Sequence, residues 1–286
     1  MSAQALLALS QFETIVSGLD HPEGIAYAPD GSLYASGEAG QVYRVNIAGK
    51  TFTQFASTGG FGLGIAVDAE SNLYVCDMGV HAVVRVMPNG ATETYTTGTA
   101  DNPLRIPNYP VFDATGNLYV SDSRDWGKKN GLIYRIRPGG EAGVWSEAAS
   151  GYTNGMALHP DGQSLYVVES IPPQISRIPI AADGSAGTAE TIVALPETVP
   201  DGIAFDANGT LYITCYAPDR IYRFSSTDGL EILFDDWSRT VLNAPTNIAF
   251  VGASLDRLAA ASIGGYGLVW ADIGVRGAPV HTPRLG

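Results

Sequence analysis

Four residues with side-chain oxygen atoms occupy the same position in a phrase that recurs along this sequence. Each stands directly before a short apolar stretch, and two further copies of the phrase have Leu63 or Thr246 at that position. The six copies begin, at spacings of 40, 45, 46, 47 and 45 residues, with Glu23, Leu63, Asn108, Asn154, Asp201 and Thr246. Carboxylate and amide oxygens are the ligands that hard cations, calcium above all, take in proteins. If the fold brings the four together, they predict a site for a divalent cation.

The phrase recurs because one supersecondary unit recurs. After each opening residue comes an apolar strand, then a turn rich in Asp, Asn and Gly such as 29–32, and then a second strand such as 33–36. A third strand alternates apolar and polar residues, for example at 42–45, and a fourth is weaker. Six units of four strands predict an all-β fold, a six-bladed β-propeller with four antiparallel strands per blade.

The two ends of the sequence predict how the ring closes. The last copy supplies three strands, at 247–250, 257–262 and 268–272, which is one short of a full blade. Residues 12–17 form a strand pattern with no blade of its own. We therefore expect the N-terminal strand to complete the last blade, and residues 1–286 to form a single propeller domain.

Strand direction places the opening residues. The first strand of each blade in a propeller lines the central channel, so all six opening residues should lie at one rim of it, pointing inward. Two carboxylates there would offset the charge of a divalent ion, whereas isolated buried carboxylates are costly. A turn-capping role explains any one of the four polar residues alone, but four at one repeat position favour metal binding.

Composition limits the partners. The 286-residue chain has 16 basic and 29 acidic residues and a formal charge of −13, which argues against a nucleic acid or an anionic membrane as partner. Its two cysteines give neither a disulfide framework nor a Cys-based zinc motif. The sequence contains neither an apolar run of 18 residues nor a signal-peptide pattern. We expect a cytoplasmic monomer or small homo-oligomer that acts on a small molecule.

Four short motifs carry a family resemblance. The phrases His21-Pro-Glu-Gly, Pro107-Asn, Thr153-Asn-Gly and Pro200-Asp-Gly occur in this order along the chain. They resemble the senescence-marker-protein/gluconolactonase (regucalcin-like) family of six-bladed lactone hydrolases, and they are also similar to the phosphotriester hydrolases of the diisopropyl fluorophosphatase type. The resemblance implies calcium as the ion, with zinc or manganese as substitutes in some members.

The resemblance also assigns roles to the opening residues. It implies that Glu23, Asn154 and Asp201 hold the metal, that Asn108 binds metal or substrate, and that Asp201 is the base or nucleophile. This chain departs from the family pattern at two points. Tyr109 follows Asn108 where gluconolactonase-like members commonly have Asp, and Arg105 lies three residues before Asn108 where some members have an arginine two residues before. Both departures argue against a sugar lactone as substrate.

The loops at the same rim should form the wall of the pocket. The loop 122–130 is the longest of them and is a candidate lid. The residues that we expect to contact substrate are Arg105, Tyr109, His81, Trp126, Tyr152 and Tyr216.

The sequence therefore predicts a calcium-dependent hydrolase of a lactone or similar ester, in which the ion polarises the carbonyl group. A Gly-x-Ser-x-Gly nucleophile motif is absent from the sequence. A phosphotriesterase or a metal-dependent lyase on the same scaffold is the alternative among enzymes. A non-catalytic propeller that binds a ligand is the alternative outside them.

Overall fold

A computed structural model describes residues 4–285 of the chain. Within that range a 3₁₀ helix at Leu9–Gln11 is the only helix, and 24 strands form six four-stranded antiparallel sheets. We number these sheets as blades 1 to 6 in the order of their first strands. No helix in the described range is long and apolar enough to cross a membrane.

The strands of each blade follow one another along the chain. Blade 1 consists of β2 (Ile25–Tyr27), β3 (Leu33–Ser36), β4 (Gln41–Asn46) and β5 (Thr51–Ser57). Blade 2 consists of β6 (Gly62–Val67), β7 (Leu73–Asp77), β8 (Ala82–Val86) and β9 (Thr92–Thr96). Blade 3 consists of β10 (Pro107–Phe112), β11 (Leu118–Asp122), β12 (Leu132–Ile136) and β13 (Ala142–Ser146).

The second half of the ring has the same plan. Blade 4 consists of β14 (Thr153–Leu158), β15 (Ser164–Ser170), β16 (Pro173–Pro179) and β17 (Glu190–Ala194). Blade 5 consists of β18 (Val199–Phe205), β19 (Leu211–Ala217), β20 (Asp219–Ser225) and β21 (Gly229–Asp235). Blade 6 contains β22 (Pro245–Val251), β23 (Arg257–Ser262), β24 (Gly267–Ala271) and, at its outer edge, β1 (Phe12–Ser17).

The closing strand lies where the sequence places it. Strand β1 pairs antiparallel with β24, from Phe12 opposite Ala271 to Ser17 opposite Gly267. The last sheet thus combines three strands from the C-terminal end with one from the N-terminal end. The prediction of a six-bladed propeller closed by residues 12–17 is confirmed.

The opening residues lie at interruptions in the strand pairing. In blades 2 to 6 the register between the first and second strands shifts at the opening residue and the residue after it, for example between Pro200 and Ile203. In blade 1 the strand starts only at Ile25, just after Glu23-Gly24. Such irregularities bend a strand and redirect its side chains. The repeat therefore places the opening residues at one rim, where their side chains do not follow the regular inward and outward alternation of a strand.

The first strands approach one another closely around the channel. The residue after the opening residue is Gly in four blades, and an added Cβ at Gly155 would collide with the carbonyl oxygen of Asp201 in the next blade. Blade 3 has Tyr109 at this position, and its ring covers Gly64 of blade 2. Blade 6 has Asn247 there.

The core of the protein lies between adjacent blades. The largest fully buried side chains include Tyr74, Tyr119 and Tyr134, which stand on second and third strands. Tyr74 packs edge-on against Phe112 of the next blade, with 5.0 Å between the ring centroids. Burial of these faces holds neighbouring blades together and so fixes the position of the first strands at the channel.

Candidate functional site at the channel mouth

The four polar opening residues lie at the same rim of the ring. Asn108, Asn154 and Asp201 are buried, with relative exposures of 5%, 4% and 3%. Glu23 is partly exposed. The first strands that carry them contact their neighbours around the ring, so these side chains share the mouth of one channel.

Two of the four are acids that destabilise each other's charge. Loss of water on burial raises the pKa of Glu23 well above its ordinary value, and the charges of Asp201 and then Glu38 raise it further. Burial likewise raises the pKa of Asp201 to about 7. Two carboxylates that are withdrawn from water and act on each other favour the protonated form, and a cation that lies near both would stabilise their ionised form.

The hydrogen bonds around Asn154 occupy its NH₂ group and its backbone carbonyl, and they leave its side-chain oxygen without a donor. The Asn154 Nδ2 donates a hydrogen bond to Ser170 Oγ at 3.3 Å, and Ser170 Oγ donates to the carbonyl oxygen of Pro200 at 2.9 Å. The backbone carbonyl of Asn154 accepts from Ser121 Oγ at 2.8 Å. With its NH₂ group engaged, Asn154 keeps its Oδ1 buried and without a partner among the described residues. The Oδ1 atom of Asp201 is buried and unpartnered in the same way.

The structure adds Asn247, which sequence analysis missed. Its Nδ2 donates to the carbonyl oxygen of Glu23 at 3.0 Å, and Thr246 Oγ1 donates to the same oxygen at 3.0 Å. Its Oδ1 is buried without a partner in the described range, as are those of Asn154 and Asp201. The signal was present in the sequence, because Asn247 is the only amide at a repeat position that is otherwise Gly or, in blade 3, Tyr109.

These residues fit a hard divalent cation. Buried oxygens without donors are rare in proteins and call for a ligand or water. Here they are amide and carboxylate oxygens beside a second carboxylate, with no nitrogen or sulfur ligand among the four, which suits calcium better than zinc. Water or substrate would complete the six to eight ligands that calcium takes.

Three aromatic residues border this site. Burial raises the pKa of the Tyr152 hydroxyl, and the negative charges of Asp201 and Glu23 raise it further. Burial raises the pKa of Tyr216 to about 12, with the charge of Asp201 as the next contribution. Tyr152 lies two residues before Asn154, and Tyr216 follows Cys215, which pairs with Pro200 next to Asp201. The exposed Trp126 packs edge-on against Tyr152, with 4.6 Å between ring centroids.

The other three predicted substrate contacts have protein partners of their own. His81 Nδ1 forms a hydrogen bond with the carbonyl oxygen of Arg105 at 2.6 Å, and Arg105 Nη2 pairs with Asp125 Oδ1 at 2.8 Å. His81 and Arg105 line a separate cavity of about 360 Å³, and no hydrogen bond or ion pair of the described residues joins them to Glu23 or Asp201. Tyr109 packs among apolar residues, and burial raises its pKa to about 12.

A second acidic group, which we call the outer acidic group, includes Glu38, whose charge acts on Glu23. Asp20, His21 and Glu38 place possible ligand atoms within 4.8 Å of one another. His21 Nδ1 lies 2.9 Å from both Asp20 Oδ1 and Glu38 Oε2, so these oxygens already share a donor. The other Asp20 oxygen accepts from Gln41 Nε2 at 2.9 Å. Both oxygens of Asp20 and one oxygen of Glu38 thus have partners in the protein, unlike the orphaned oxygens at the channel mouth.

The fold and the site place the chain in a known family. Residues 21–264 match the SMP-30/gluconolactonase/LRE-like region. The chain belongs to this family, and the family resemblance noted from the sequence is confirmed.

The relatives are distant. Lactonase drp35 of Staphylococcus epidermidis is 24% identical over 219 residues, which are 71% of this chain and 66% of that lactonase. The chain thus spans slightly less than two thirds of the length of this relative.

Solved structures share the fold over most of their length. A gluconolactonase from Xanthomonas campestris superposes with a TM-score of 0.78 at 22% identity, over 91% of this chain and 89% of that one. A calcium-binding protein, regucalcin, from Agrobacterium tumefaciens superposes with a TM-score of 0.74 at 17% identity, over 95% and 98% of the two chains. At these identities the likeness shows the fold alone.

Proposed function

We propose that this protein is a calcium-dependent hydrolase that opens lactones or cleaves related esters at the mouth of its central channel. Glu23, Asn108, Asn154 and Asp201 would hold the ion. The observation that carries the proposal is the pair of buried, unpartnered oxygens on Asn154 and Asp201 beside the carboxylate of Glu23. Membership of a family that includes lactonases supports the reaction class.

The chain's own residues can carry the proton transfers. A bound divalent ion would supply polarisation of the substrate's carbonyl group. Asp201 has a buried oxygen atom without a hydrogen-bond partner, so it can accept a proton from an attacking water. The water oxygen bonds to the carbonyl carbon, the ring C–O bond breaks, and the leaving alkoxide takes up the proton. The product is a hydroxy acid.

Lactones suit this arrangement for two reasons. Their leaving group stays tethered to the acyl group, so it remains close to the proton donor. The hydroxyls of Tyr152 and Tyr216, which form no hydrogen bond to another described residue, can donate to the oxygens of the lactone group itself.

The proposal is tested with a panel of lactones, carboxylic esters and phosphotriesters. Each is assayed after EDTA treatment and after calcium is returned, with wild type and with Asp201→Asn. We expect lactone hydrolysis that is lost with EDTA, restored by calcium, and reduced at least a hundredfold by Asp201→Asn. Asp206→Asn is the matched control, because Asp206 is a buried carboxylate directly after the same strand β18 but its oxygens accept from Asn208, Thr210 and Tyr212.

Three outcomes would contradict the proposal. Activity that persists in EDTA and survives Asp201→Asn excludes the metal-dependent mechanism. Turnover of phosphotriesters alone assigns the site to the other reaction class. Tight calcium binding without turnover of any compound favours a ligand-binding propeller.

Water labelling separates the two roles that Asp201 can have. In a single turnover in H₂¹⁸O, a base mechanism puts the label into the hydroxy acid. Direct attack by the Asp201 carboxylate forms a mixed anhydride, and only hydrolysis of this intermediate at the Asp201 carboxyl carbon puts the label into the enzyme, where mass spectrometry of the peptide containing Asp201 detects it.

A further inference from the structure

Large apolar side chains are exposed around the rim that carries the candidate site. The described chain exposes six large hydrophobic residues, and four of them lie in loops at this rim: Val80, Trp126, Trp237 and Tyr266. Val80, Trp126 and Tyr266 lie between the second and third strands of blades 2, 3 and 6, and Trp237 follows the outermost strand of blade 5. Of these four, Trp126 contacts Tyr152 beside the site, whereas Trp237 lies at the outer edge of the rim. Exposed apolar groups beside a site indicate a surface that binds an apolar group.

One part of this rim is continuous with the acid pair. Tyr152 lies two residues before Asn154, and Tyr216 follows Cys215, which pairs with Pro200 directly before Asp201. Trp126 is in edge contact with Tyr152 and is 54% exposed. We call Trp126, Tyr152 and Tyr216 the aromatic wall. It leads from the reaction centre to the solvent at the rim.

The charged groups beside the wall are occupied by one another. Asp125, next to Trp126 in the chain, accepts hydrogen bonds from Asn130, Arg105 and Lys128, at 2.9, 2.8 and 3.3 Å. Hydrogen bonds from Asn130 and Arg105 hold the pKa of Asp125 at about 2, so it stays ionised and pairs with these donors. A polyhydroxylated ring needs free donors and acceptors around its edge, and this loop uses its own internally.

We propose that the aromatic wall binds the apolar part of the substrate, so that the preferred class is lactones with an alkyl or aryl substituent rather than polyhydroxylated sugar lactones. This inference rests on the proposed lactonase function and names its substrate class. The lactone ring lies at the acid pair, and the substituent lies along Tyr152 and Trp126 towards solvent.

A chain-length series tests the proposal. The substrates are δ-hexalactone, δ-octalactone and δ-decalactone, which share one ring and differ by two methylenes at each step, together with D-glucono-δ-lactone. A methylene that is half-buried on an open wall gains about half of the full transfer free energy. We expect kcat/KM to rise about fourfold per step, and D-glucono-δ-lactone to be at least tenfold poorer than δ-octalactone after subtraction of spontaneous hydrolysis.

Two tryptophan variants locate the effect. Trp126→Ala removes the outer part of the wall, and we expect it to reduce the gain per step to less than twofold. Trp237→Ala is the matched control, because Trp237 is an exposed tryptophan, 86% accessible, at the outer edge of the same rim. It should leave the fourfold gain intact. Both residues are exposed, so neither change should prevent folding.

The outcomes separate this inference from the function on which it rests. Hydrolysis of none of the lactones overturns the proposed function and the inference together. Preferred hydrolysis of D-glucono-δ-lactone, a flat chain-length series, or a gradient that Trp126→Ala leaves unchanged overturns the inference alone, because lactone hydrolysis itself would stand.

Discussion

The fold buries the carboxyl group of Asp201, so the stability of the protein depends on whether this group is protonated. Its ordinary pKa of 3.8 is raised to about 7 in the metal-free fold. Between these values the folded chain binds more protons than the unfolded chain, so the free energy of unfolding falls as pH rises. We expect EDTA-treated protein to be most stable below about pH 4, as far as this group is concerned, and to lose that contribution through about pH 7.

Urea unfolding at a series of pH values measures this dependence. Asp201→Asn should flatten the curve between pH 4 and 7, since the amide does not titrate. The control Asp206→Asn changes a carboxyl with satisfied oxygens and should leave the slope in place. Parallel curves for wild type and Asp201→Asn would show that burial does not raise this pKa.

Asn247 positions Glu23 through the backbone. Its amide and the Thr246 hydroxyl both donate to the Glu23 carbonyl oxygen, so Asn247→Ala removes one of two bonds that fix this segment. Loss of such an outer partner typically lowers metal affinity ten- to a hundredfold. We expect a weaker calcium Kd by isothermal titration and little change in far-UV circular dichroism. An unchanged Kd would mean that Thr246 alone suffices.

The residues of the candidate site could be predicted from the sequence only where several of them share one position of the repeat. Glu23, Asn108, Asn154 and Asp201 stand at one repeat position, so their coincidence was visible in the sequence. Asn247 stands one position later, where four of the other blades have Gly, so the repeat does not mark this position as a site for polar side chains. Its role depends on a hydrogen bond across the closure of the ring, to the carbonyl oxygen of Glu23, which is 224 residues away in the sequence.

At the scale of elements, β1 joins the two ends of the ring. Ile15 is 1% exposed and packs with Leu268 and Ala259 in the core of the last blade. Ile15→Ala should lower the free energy of unfolding by about 2–5 kcal/mol through transfer and cavity terms. Thr14→Ala, at the exposed neighbour in the same strand, should change it by less than about 0.5 kcal/mol. Chemical denaturation measures both, and equal small effects would show that β1 does not hold the ring closed.

Strands were predictable here and loop contacts were not. The strand pattern repeats six times, and the missing strand of the last blade pointed to residues 12–17. The pairing of Arg105 with Asp125 depends instead on the path of a single loop, in which Arg124 has a left-handed backbone with φ of 55°. No repeat encodes that path, so the pairing of the Arg105 guanidinium with Asp125 could not be predicted from the sequence.

The whole molecule has a net charge of −13, which attracts calcium regardless of any particular site. Specific binding must therefore be separated from screening. A calcium titration at a constant ionic strength of about 0.15 M keeps the Debye length near 8 Å. Calorimetry should then show a melting temperature that rises with calcium by roughly 5 °C or more at a hundredfold excess over Kd, because binding to the folded state alone contributes about 2.7 kcal/mol.

Two double variants show which acids are responsible for the calcium-dependent rise in melting temperature. Glu23→Gln with Asp201→Asn removes both carboxylates of the channel mouth and should abolish it. Asp20→Asn with Glu38→Gln removes the same charge from the outer acidic group, whose oxygens are already bonded to His21 and Gln41, and should leave most of it. The two double variants carry the same net charge, so screening affects them equally. If only Asp20→Asn with Glu38→Gln abolishes the rise in melting temperature, the calcium site is the outer acidic group and not the channel mouth.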